Sequence, residues 1–483
     1  MTEGQIGVAG LAVMGENLTL NMASRGFGVS VFNRTGAKTE AFLAGRAGGK
    51  TITGFLELAD FIASLARPRK VMMMVKAGAV VDRFIEQALP LLETGDILID
   101  GGNSNYHDTA RRELFLAQKG IRYVGAGVSG GEEGALLGPS IMPGGDASAW
   151  PELQPIFQAI AARAGNDEPC CEWIGPGGAG HFVKMVHNGI EYGDMQLICE
   201  AYQIMKKGLG MDAGEMHRVF ADWNDGELSS YLIEITADIL AYRDERGDPL
   251  VEKILDTAGQ KGTGKWTVNE ALDAGVPFSL ISESVFARCL SALKAQRVEA
   301  AAILDGPAGL LEHDRQRVLS RLKDALYTAK IISYAQGFAL LKAVAAESGW
   351  ELDFGTIAAI WRGGCIIRSV FLDRISEAYR RTPELDNLLL DRFFTDTVNR
   401  GQKDLRSIVS SSAAAGIPSP CLASALAYYD GLRSDRLPAN LLQAQRDYFG
   451  AHTYERIDAP RGEFFHTNWT GSGGKTTATA YKK

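Results

Sequence analysis

The run Gln5-Ile6-Gly7-Val8-Ala9 leads directly into Gly10-Leu11-Ala12-Val13-Met14-Gly15, and a helical pattern follows over 16–25. A run so short and so evenly apolar predicts a strand buried on both faces of a parallel sheet. Strand, glycine-rich turn and helix, in that order, bring backbone N–H groups and a helix N-terminus to a pyrophosphate. Ala12 stands where the second glycine of the dinucleotide fingerprint usually sits, so the turn is a variant of that fingerprint. A tight strand–helix turn with no ligand reads the same way locally. Further strand-like runs end at 32, 75, 100 and 128, each followed by polar or glycine-rich residues. Doubly wound sheets bind ligands at such strand ends. Residues 1–178 are therefore predicted to form an α/β, Rossmann-like, doubly wound domain.

The strand at 29–32 ends in Asn33-Arg34-Thr35. An NAD site usually places Asp or Glu here for the ribose 2′-hydroxyl. An acid would repel a 2′-phosphate, whereas a guanidinium and a hydroxyl bind one, so the pattern predicts NADP over NAD. Met74-Val75-Lys76 and Gly101-Gly102-Asn103-Ser104 occupy two more strand ends, and Ser129-Gly130-Gly131 a third. Glycines with a serine after a strand suit a carboxylate or phosphate held by backbone N–H groups. A flexible loop is the plain alternative.

The loop at 175–180 opens a long apolar-periodic stretch beginning His181-Phe182-Val183-Lys184-Met185-Val186-His187-Asn188. At about 100° per residue, Lys184, His187, Asn188 and Glu191 fall within roughly one third of the helix circumference. Val183, Met185, Val186 and Ile190 flank that arc. Buried ionisable groups cost several kcal/mol unless paired or used. The stripe is predicted to be an acid–base pair on one rigid element, with Lys184 and Glu191 two turns apart; a polar face turned to water is the alternative.

The rest of the chain narrows the class. Its net charge of −8 argues against general nucleic-acid binding, so an anionic ligand needs local cations. The six cysteines form no CxxC pair, which predicts neither a structural zinc nor a disulfide framework, and no metal is expected. No apolar run approaches the roughly 20 residues of a membrane span. The chain enters a strand almost at once, so no secretory signal is expected and the predicted location is the cytoplasm. From 181 to about 435 the pattern is mostly helical. Lys261-Gly262-Thr263-Gly264-Lys265 lacks the GxxxxGK[ST] spacing and the preceding strand of a phosphate loop, which excludes nucleotide hydrolysis there, although either lysine can meet an anion. Arg288 lies among apolar neighbours, where an arginine usually pairs with a carboxylate of the protein or of a ligand. Lys330 to Gly337 faintly parallels Lys184 to Glu191 but lacks the His, Asn and Glu. After 440 the texture becomes aromatic and polar, and 471–483 is expected to be mobile unless a partner holds it.

Taken together these residues resemble the decarboxylating 6-phosphogluconate dehydrogenases. The likeness runs through GLAVMGENL at 10–18, FNRT at 32–35, MVKAG at 74–78, IDGGNS at 99–104 and SGGEEGA at 129–135. It continues through KMVHNGIEYGDMQL at 184–197, KGTGKWT at 261–267, WRGGCIIRS at 361–369 and RDYFGAHTYE at 446–455. Leu136-Leu137 depart from the Arg-Tyr often found in that family. The resemblance implies NADP-dependent oxidation of 6-phosphogluconate at carbon 3, loss of CO₂ and release of ribulose 5-phosphate, with no metal. Lys184 matches the general base, which then polarises the keto oxygen, and Glu191 the acid that protonates carbon 1 of the enediol. Gly10, Leu11, Ala12, Val13, Met14, Gly15, Asn33, Arg34, Thr35, Met74, Val75, Lys76 and Asn103 match cofactor positions. Asn103, Ser129, Gly130, Gly131, His187, Asn188 and Tyr192 match sugar-acid positions. Lys261, Arg288 and Arg446 suit the phosphate, and His452 the sugar or phosphate. The resemblance also implies a helical substrate and dimerisation domain over 179–435, and a tail over 436–483 that reaches the other subunit of a homodimer.

Two other readings share parts of the pattern. A short-chain β-hydroxyacid dehydrogenase, such as one acting on 3-hydroxyisobutyrate, has the turn and a lysine but no use for Glu191, a second helical half or a cationic tail. An NADP-binding sensor without turnover has no use for Lys184 and Glu191.

Overall fold

The computed structural model describes residues 4–307, 309, 311, 314–473 and 476–478. Part of the stretch expected to be mobile, at 474, 475 and 479–483, lies outside the described residues. One compact unit runs to Ala425 and a second begins at Leu426.

The first unit begins with a sheet of β1 (Ile6–Ala9), β2 (Val29–Phe32), β3 (Ile52–Phe55), β4 (Lys70–Met73), β5 (Ile97–Asp100), β6 (Arg122–Ser129) and β7 (Ser140–Gly145). Their order is β3-β2-β1-β4-β5-β6-β7. Neighbouring strands from β3 to β6 pair in parallel, and β7 closes the edge antiparallel to β6. The strands alternate between two cores. Met72, Ile97, Ile99 and Val124 join one, while Val71, Met73, Leu98 and Tyr123 join the other. The Met72-Met73 run is thus core packing on both faces, as the period of two requires. Helix α1 (Val13–Ser24) starts inside the glycine-rich turn, three residues before the predicted helical pattern, with Ala12 as an N-cap that supplies no side-chain hydrogen bond. The first N–H groups of α1 therefore have no side-chain cap.

Beyond the sheet the unit is helical. Helix α2 (Ala179–Gln203) is followed by α3 (Thr263–Asp273), α4 (Ser279–Ala292), α5 (Arg315–Ser348) and α6 (Arg392–Ala414), among shorter helices. Helix α2 is docked on the sheet by glycines. A Cβ at Gly180 would stand 2.4 Å from the Met142 carbonyl oxygen, and one at Gly127 would stand 2.4 Å from Cβ of Lys184. The bare backbone of β6 thus lets the Lys184 side chain lie directly against it.

Helix α5 packs against both α2 and α6. It crosses α2 antiparallel, since Gly337 meets Ile190, Ser333 meets Gly193 and Lys330 meets Asp194. Lys330 is thus the partner of Asp194 at 2.8 Å, with both side chains at most 1% exposed. The segment that faintly parallels Lys184 to Glu191 lies across it and uses its lysine for an ion pair.

The second unit is organised by Asp447 on helix α7 (Ala439–Gly450). Its buried carboxylate accepts the Thr453 and Thr467 N–H groups, the Trp469 indole N–H at 2.8 Å and His466 Nδ1 at 2.9 Å. Burial pushes this carboxyl up, but the four donors outweigh it and hold it at about 2. The aromatic segment after 440 therefore folds back on its own helix.

Removing one partner of a buried ion pair costs about 3–5 kcal/mol, because the other charge is left uncompensated. Lys330→Met is expected to lower the free energy of urea unfolding by that amount, and the midpoint with it, at fixed protein concentration. Lys330→Met combined with Asp194→Leu should recover most of the loss. Equal midpoints for the single and double variants would show that the pair has no such role.

Candidate active site

Helix α2 places the predicted stripe on one face. Lys184, His187 and Asn188 are buried, at 5%, 0% and 8% exposure. Glu191 keeps 21% of its side chain exposed. Lys184 Nζ lies 3.3 Å from His187 Nδ1, and His187 Nδ1 lies 3.2 Å from Asn188 Oδ1. On the other side of the ring, His187 Nε2 lies 3.3 Å from the Ser129 hydroxyl at the end of β6. One contiguous polar row thus runs from β6 through the imidazole to the lysine.

The environment sets the charge states. Burial, opposed by the nearby Glu191 carboxylate and by Cys365, pulls the Lys184 amine from 10.5 to about 8. The amine is therefore about half neutral near pH 8, where a solvated lysine is almost wholly charged. Burial, reinforced by Lys184, holds His187 well below its ordinary 6.5, so the imidazole is neutral. Its 3.9 Å approach to Glu191 is then a dipolar contact, not an ion pair. Burial raises Glu191, Lys184 and Arg288 oppose that, and Asp194 adds to it. Burial thus shifts the two groups of this face in opposite directions, the lysine down and the glutamic acid up. Such a divergence separates a base from an acid.

The glycine-rich turn forms as a close approach of backbone to backbone. Gly10 has φ of +108° and a Cβ there would stand 2.4 Å from the Met74 carbonyl oxygen; one at Gly15 would stand 1.9 Å from the Gly10 carbonyl oxygen. Leu11 is buried, Ala12 and Val13 are exposed, and Met14 lies between. Asn33 is a tie within the protein: its Oδ1 accepts the Leu11 N–H at 3.0 Å and its Nδ2 donates to the Thr35 carbonyl at 3.1 Å. Arg34 and Thr35 are exposed, and Arg34 has no ion pair among the described residues. Met74, Val75 and exposed Lys76 follow β4, and exposed Asn103 follows β5. An exposed cation without an ion pair among the described residues, a close-packed glycine turn and no acid at the end of β2 suit a 2′-phosphorylated dinucleotide.

Gly130 and Gly131 take φ of +115° and +64°, and Gly130 packs against the Gly364 carbonyl. Tyr192 is buried, and its ring carries Arg288 at 3.4 Å from the centroid. The guanidinium also lies 3.4 Å from the Gly259 carbonyl. Of the carboxylate expected from the protein or a ligand, no protein carboxylate forms an ion pair with Arg288 among the described residues; the Tyr192 ring and a carbonyl support the half-buried guanidinium. Lys261 is exposed one residue before Gly262, the N-cap of α3. Arg446 and His452 belong to the second unit. There Arg446 donates to Gln443 at 3.1 Å, and His452 Nδ1 is buried without a hydrogen-bond partner among the described residues. Leu136 packs into the sheet core and Leu137 is exposed.

Three contributors escaped sequence reasoning. The segment after α5 brings Trp361 edge-on to His187 at 5.6 Å and buried Cys365 beside Lys184, its thiol pushed up to about 12 by burial. Asp194, one turn beyond Glu191, belongs to the same helix face. Spacing along the 184–191 stripe, extended by three residues, would have found Asp194; nothing local announces Cys365. The six cysteines are free thiols, and among the described residues no group of three or more His, Cys, Asp or Glu is placed to hold a metal.

Comparison with known proteins covers nearly the whole chain. Residues 5–175 match the NAD binding domain of 6-phosphogluconate dehydrogenase, and residues 180–469 match the 6-phosphogluconate dehydrogenase C-terminal domain. The decarboxylating 6-phosphogluconate dehydrogenase of Haemophilus ducreyi is 58% identical over 99% of both chains. That of Mus musculus is 58% identical over the full length of both. A solved structure of Plasmodium falciparum 6-phosphogluconate dehydrogenase, studied in apo form and with NADP+ or 6-phosphogluconate, superposes with a TM-score of 0.92. It is 46% identical and covers 96% of this chain and 100% of its own.

A carboxylate near a buried ammonium favours its charged form, so removing it lowers the amine's pKa further. Glu191→Gln is therefore expected to move the Lys184 midpoint below the wild-type value of about 8. The Lys184 ε-carbon resonance, assigned by its loss in Lys184→Arg, reports the titration. An unchanged or higher midpoint would mean that the two groups are not electrostatically coupled.

Proposed function

The chain belongs to the 6-phosphogluconate dehydrogenase family, and on that premise we propose that it converts 6-phosphogluconate and NADP to ribulose 5-phosphate, CO₂ and NADPH. The observation that carries the residue roles is the placement, on one helix face, of a buried lysine whose pKa is lowered to about 8 and a glutamic acid whose pKa burial raises.

Neutral Lys184 takes the proton of the carbon 3 hydroxyl. When bound, NADP supplies the acceptor for the hydride that leaves the same carbon. Lys184, now an ammonium, donates toward the 3-keto oxygen and stabilises the negative charge that grows there as the carbon 1 carboxylate departs as CO₂. The electron pair of the broken bond forms the enediol. Glu191 protonates the carbon that lost the carboxylate, which becomes carbon 1 of the product, while Lys184 takes the enediol hydroxyl proton as the ketone is restored; one proton passing from the Lys184 ammonium back to the Glu191 carboxylate then resets both groups. Neutral His187 and Asn188, backed by Ser129, orient the sugar acid against this face. Asn103, Gly130, Gly131 and Tyr192 complete its walls, and Lys261 and Arg288 take the phosphate. The turn at Gly10–Gly15, with Asn33, Arg34, Thr35, Met74, Val75, Lys76 and Asn103, holds NADP.

The chain works as a homodimer in the cytoplasm, with Arg446 and His452 of one subunit completing the site of the other. Large exposed apolar residues support an obligate partner: Phe286 and Leu290 on α4, and Leu441, Tyr448 and Phe449 on α7. Among the described residues no helix is long and apolar enough to cross a membrane. Residues 1–178 serve as the cofactor domain, 179–435 as the substrate and dimerisation domain, and 436–483 as the reaching tail.

Incubation with NADP and 6-phosphogluconate should yield NADPH and CO₂ in equal amounts, and Lys184→Ala should abolish both while NADP still binds. NADPH without CO₂, or turnover of an unphosphorylated acid instead, would point to a plain β-hydroxyacid dehydrogenase. Arg34→Asp should raise the KM for NADP by about two orders of magnitude, the size of a lost charge-assisted phosphate contact plus repulsion, and leave that for NAD within a few-fold. Equal losses for both would move the 2′-phosphate site elsewhere.

A further inference from the structure

A charged network lies beneath the cofactor loops and takes no part in the chemistry derived above. Arg112, on the helix Tyr106–Ala117, is 1% exposed. Its Nε and Nη2 meet Asp82 Oδ1 and Oδ2, each at 2.9 Å. Nη2 also donates to the Gly78 carbonyl at 3.1 Å. Nη1 faces Asp100 Oδ2 at 3.6 Å and has no hydrogen-bond partner of its own among the described residues. Asp100 ends β5; its Oδ1 accepts the Gly102 N–H at 3.1 Å, and its Oδ2 accepts the Ser104 hydroxyl at 2.6 Å and the Tyr123 hydroxyl at 3.2 Å.

The guanidinium thus reaches two loops at once. One is the loop from β4 through Met74, Val75 and Lys76 to Gly78; the other runs from Asp100 through Gly101 and Gly102 to Asn103. The loops also touch directly, since a Cβ at Gly101 would stand 2.5 Å from Met74 Sδ and one at Gly102 would stand 3.1 Å from the Val75 carbonyl oxygen. A buried cation is costly to keep where an apolar residue would pack. Here its planar fork fixes a separation that apolar side chains, which slide, leave undefined.

We propose that Arg112, anchored by Asp82, is a positioning residue that ties the loop after β4 to the loop after β5 and thereby sets the affinity for NADP. The proposal rests on the reading of Met74–Lys76 and Asn103 as cofactor residues.

Arg112→Lys keeps the charge and loses the fork. Titration of the full-length protein with NADPH by fluorescence, steady-state kinetics and thermal melting separate the possibilities. Arg112→Lys is expected to raise the Kd for NADPH and the KM for NADP about tenfold, while kcat changes by less than threefold. Asp82→Asn, at a more exposed position that folding tolerates better, is expected to raise both about threefold. A purely structural cation would lower the melting temperature and the active fraction without moving the Kd, and that result in either variant overturns the proposal. If Arg112→Lys does not fold, an unchanged Kd in Asp82→Asn overturns it alone. Wild-type protein that fails to bind NADPH overturns the reading of the loops and the clamp with it. Wild-type protein that binds and turns over, beside variants of unchanged Kd, overturns only the clamp.

Discussion

The burial of the Lys184 ammonium is the constraint on which the rest of the site depends. An isolated ammonium in an apolar interior either finds partners or gives up its proton, and this one is placed to do the second near pH 8. The placement is a matter of backbone. Strand β6 offers Gly125 and Gly127 toward α2, so that a Cβ at Gly127 would collide with the lysine stem, and one at Gly125 with the His181 ring. Any side chain there would push the helix away from the sheet and open the lysine to water. The raised glutamic acid follows from the same burial, since Glu191 sits two turns along the same helix.

Helix α2 is held from its other side by α5, and that contact carries a second buried charge pair. Lys330 and Asp194 are closer and drier than Lys184 and Glu191, yet they do different work. A paired lysine at 2.8 Å from its carboxylate fixes the crossing of two helices. The other, 3.3 Å from a neutral imidazole and lowered by burial, can lose its proton. Two lysines in similar sequence settings thus part ways through their partners.

That divergence explains what the sequence made legible. The 184–191 stripe was readable because helical periodicity puts its four polar residues on one face whatever the tertiary fold. The doubly wound sheet was readable because short apolar runs with glycine-rich ends admit few other structures. Partners across the fold were not readable. Lys330 was visible as a lysine, but Asp194 lies 136 positions away in the chain. Arg288 was visible as a cation among apolar residues, but its stacking on the Tyr192 ring was not, because that geometry depends on where α4 crosses α2. Helix α1 begins earlier than its pattern because the turn's own residues take helical angles once the Gly10 backbone has reversed direction.

The two halves of the site are built on different principles. The proposed acid–base face rides on a helix locked by apolar packing and close glycine contacts, so its geometry follows from the core. The proposed cofactor side is made of strand-end loops, which apolar packing holds poorly. Each of those loops is instead tied by a polar side chain that never leaves the protein: Asn33 holds the Leu11 N–H, Asp100 holds Gly102 and Ser104, and Arg112 reaches across to Gly78. With a net charge of −8 the molecule repels an anionic dinucleotide at long range, so the cations that receive it must be local and well placed. Polar ties beneath the loops supply that placement at the ends of the strands.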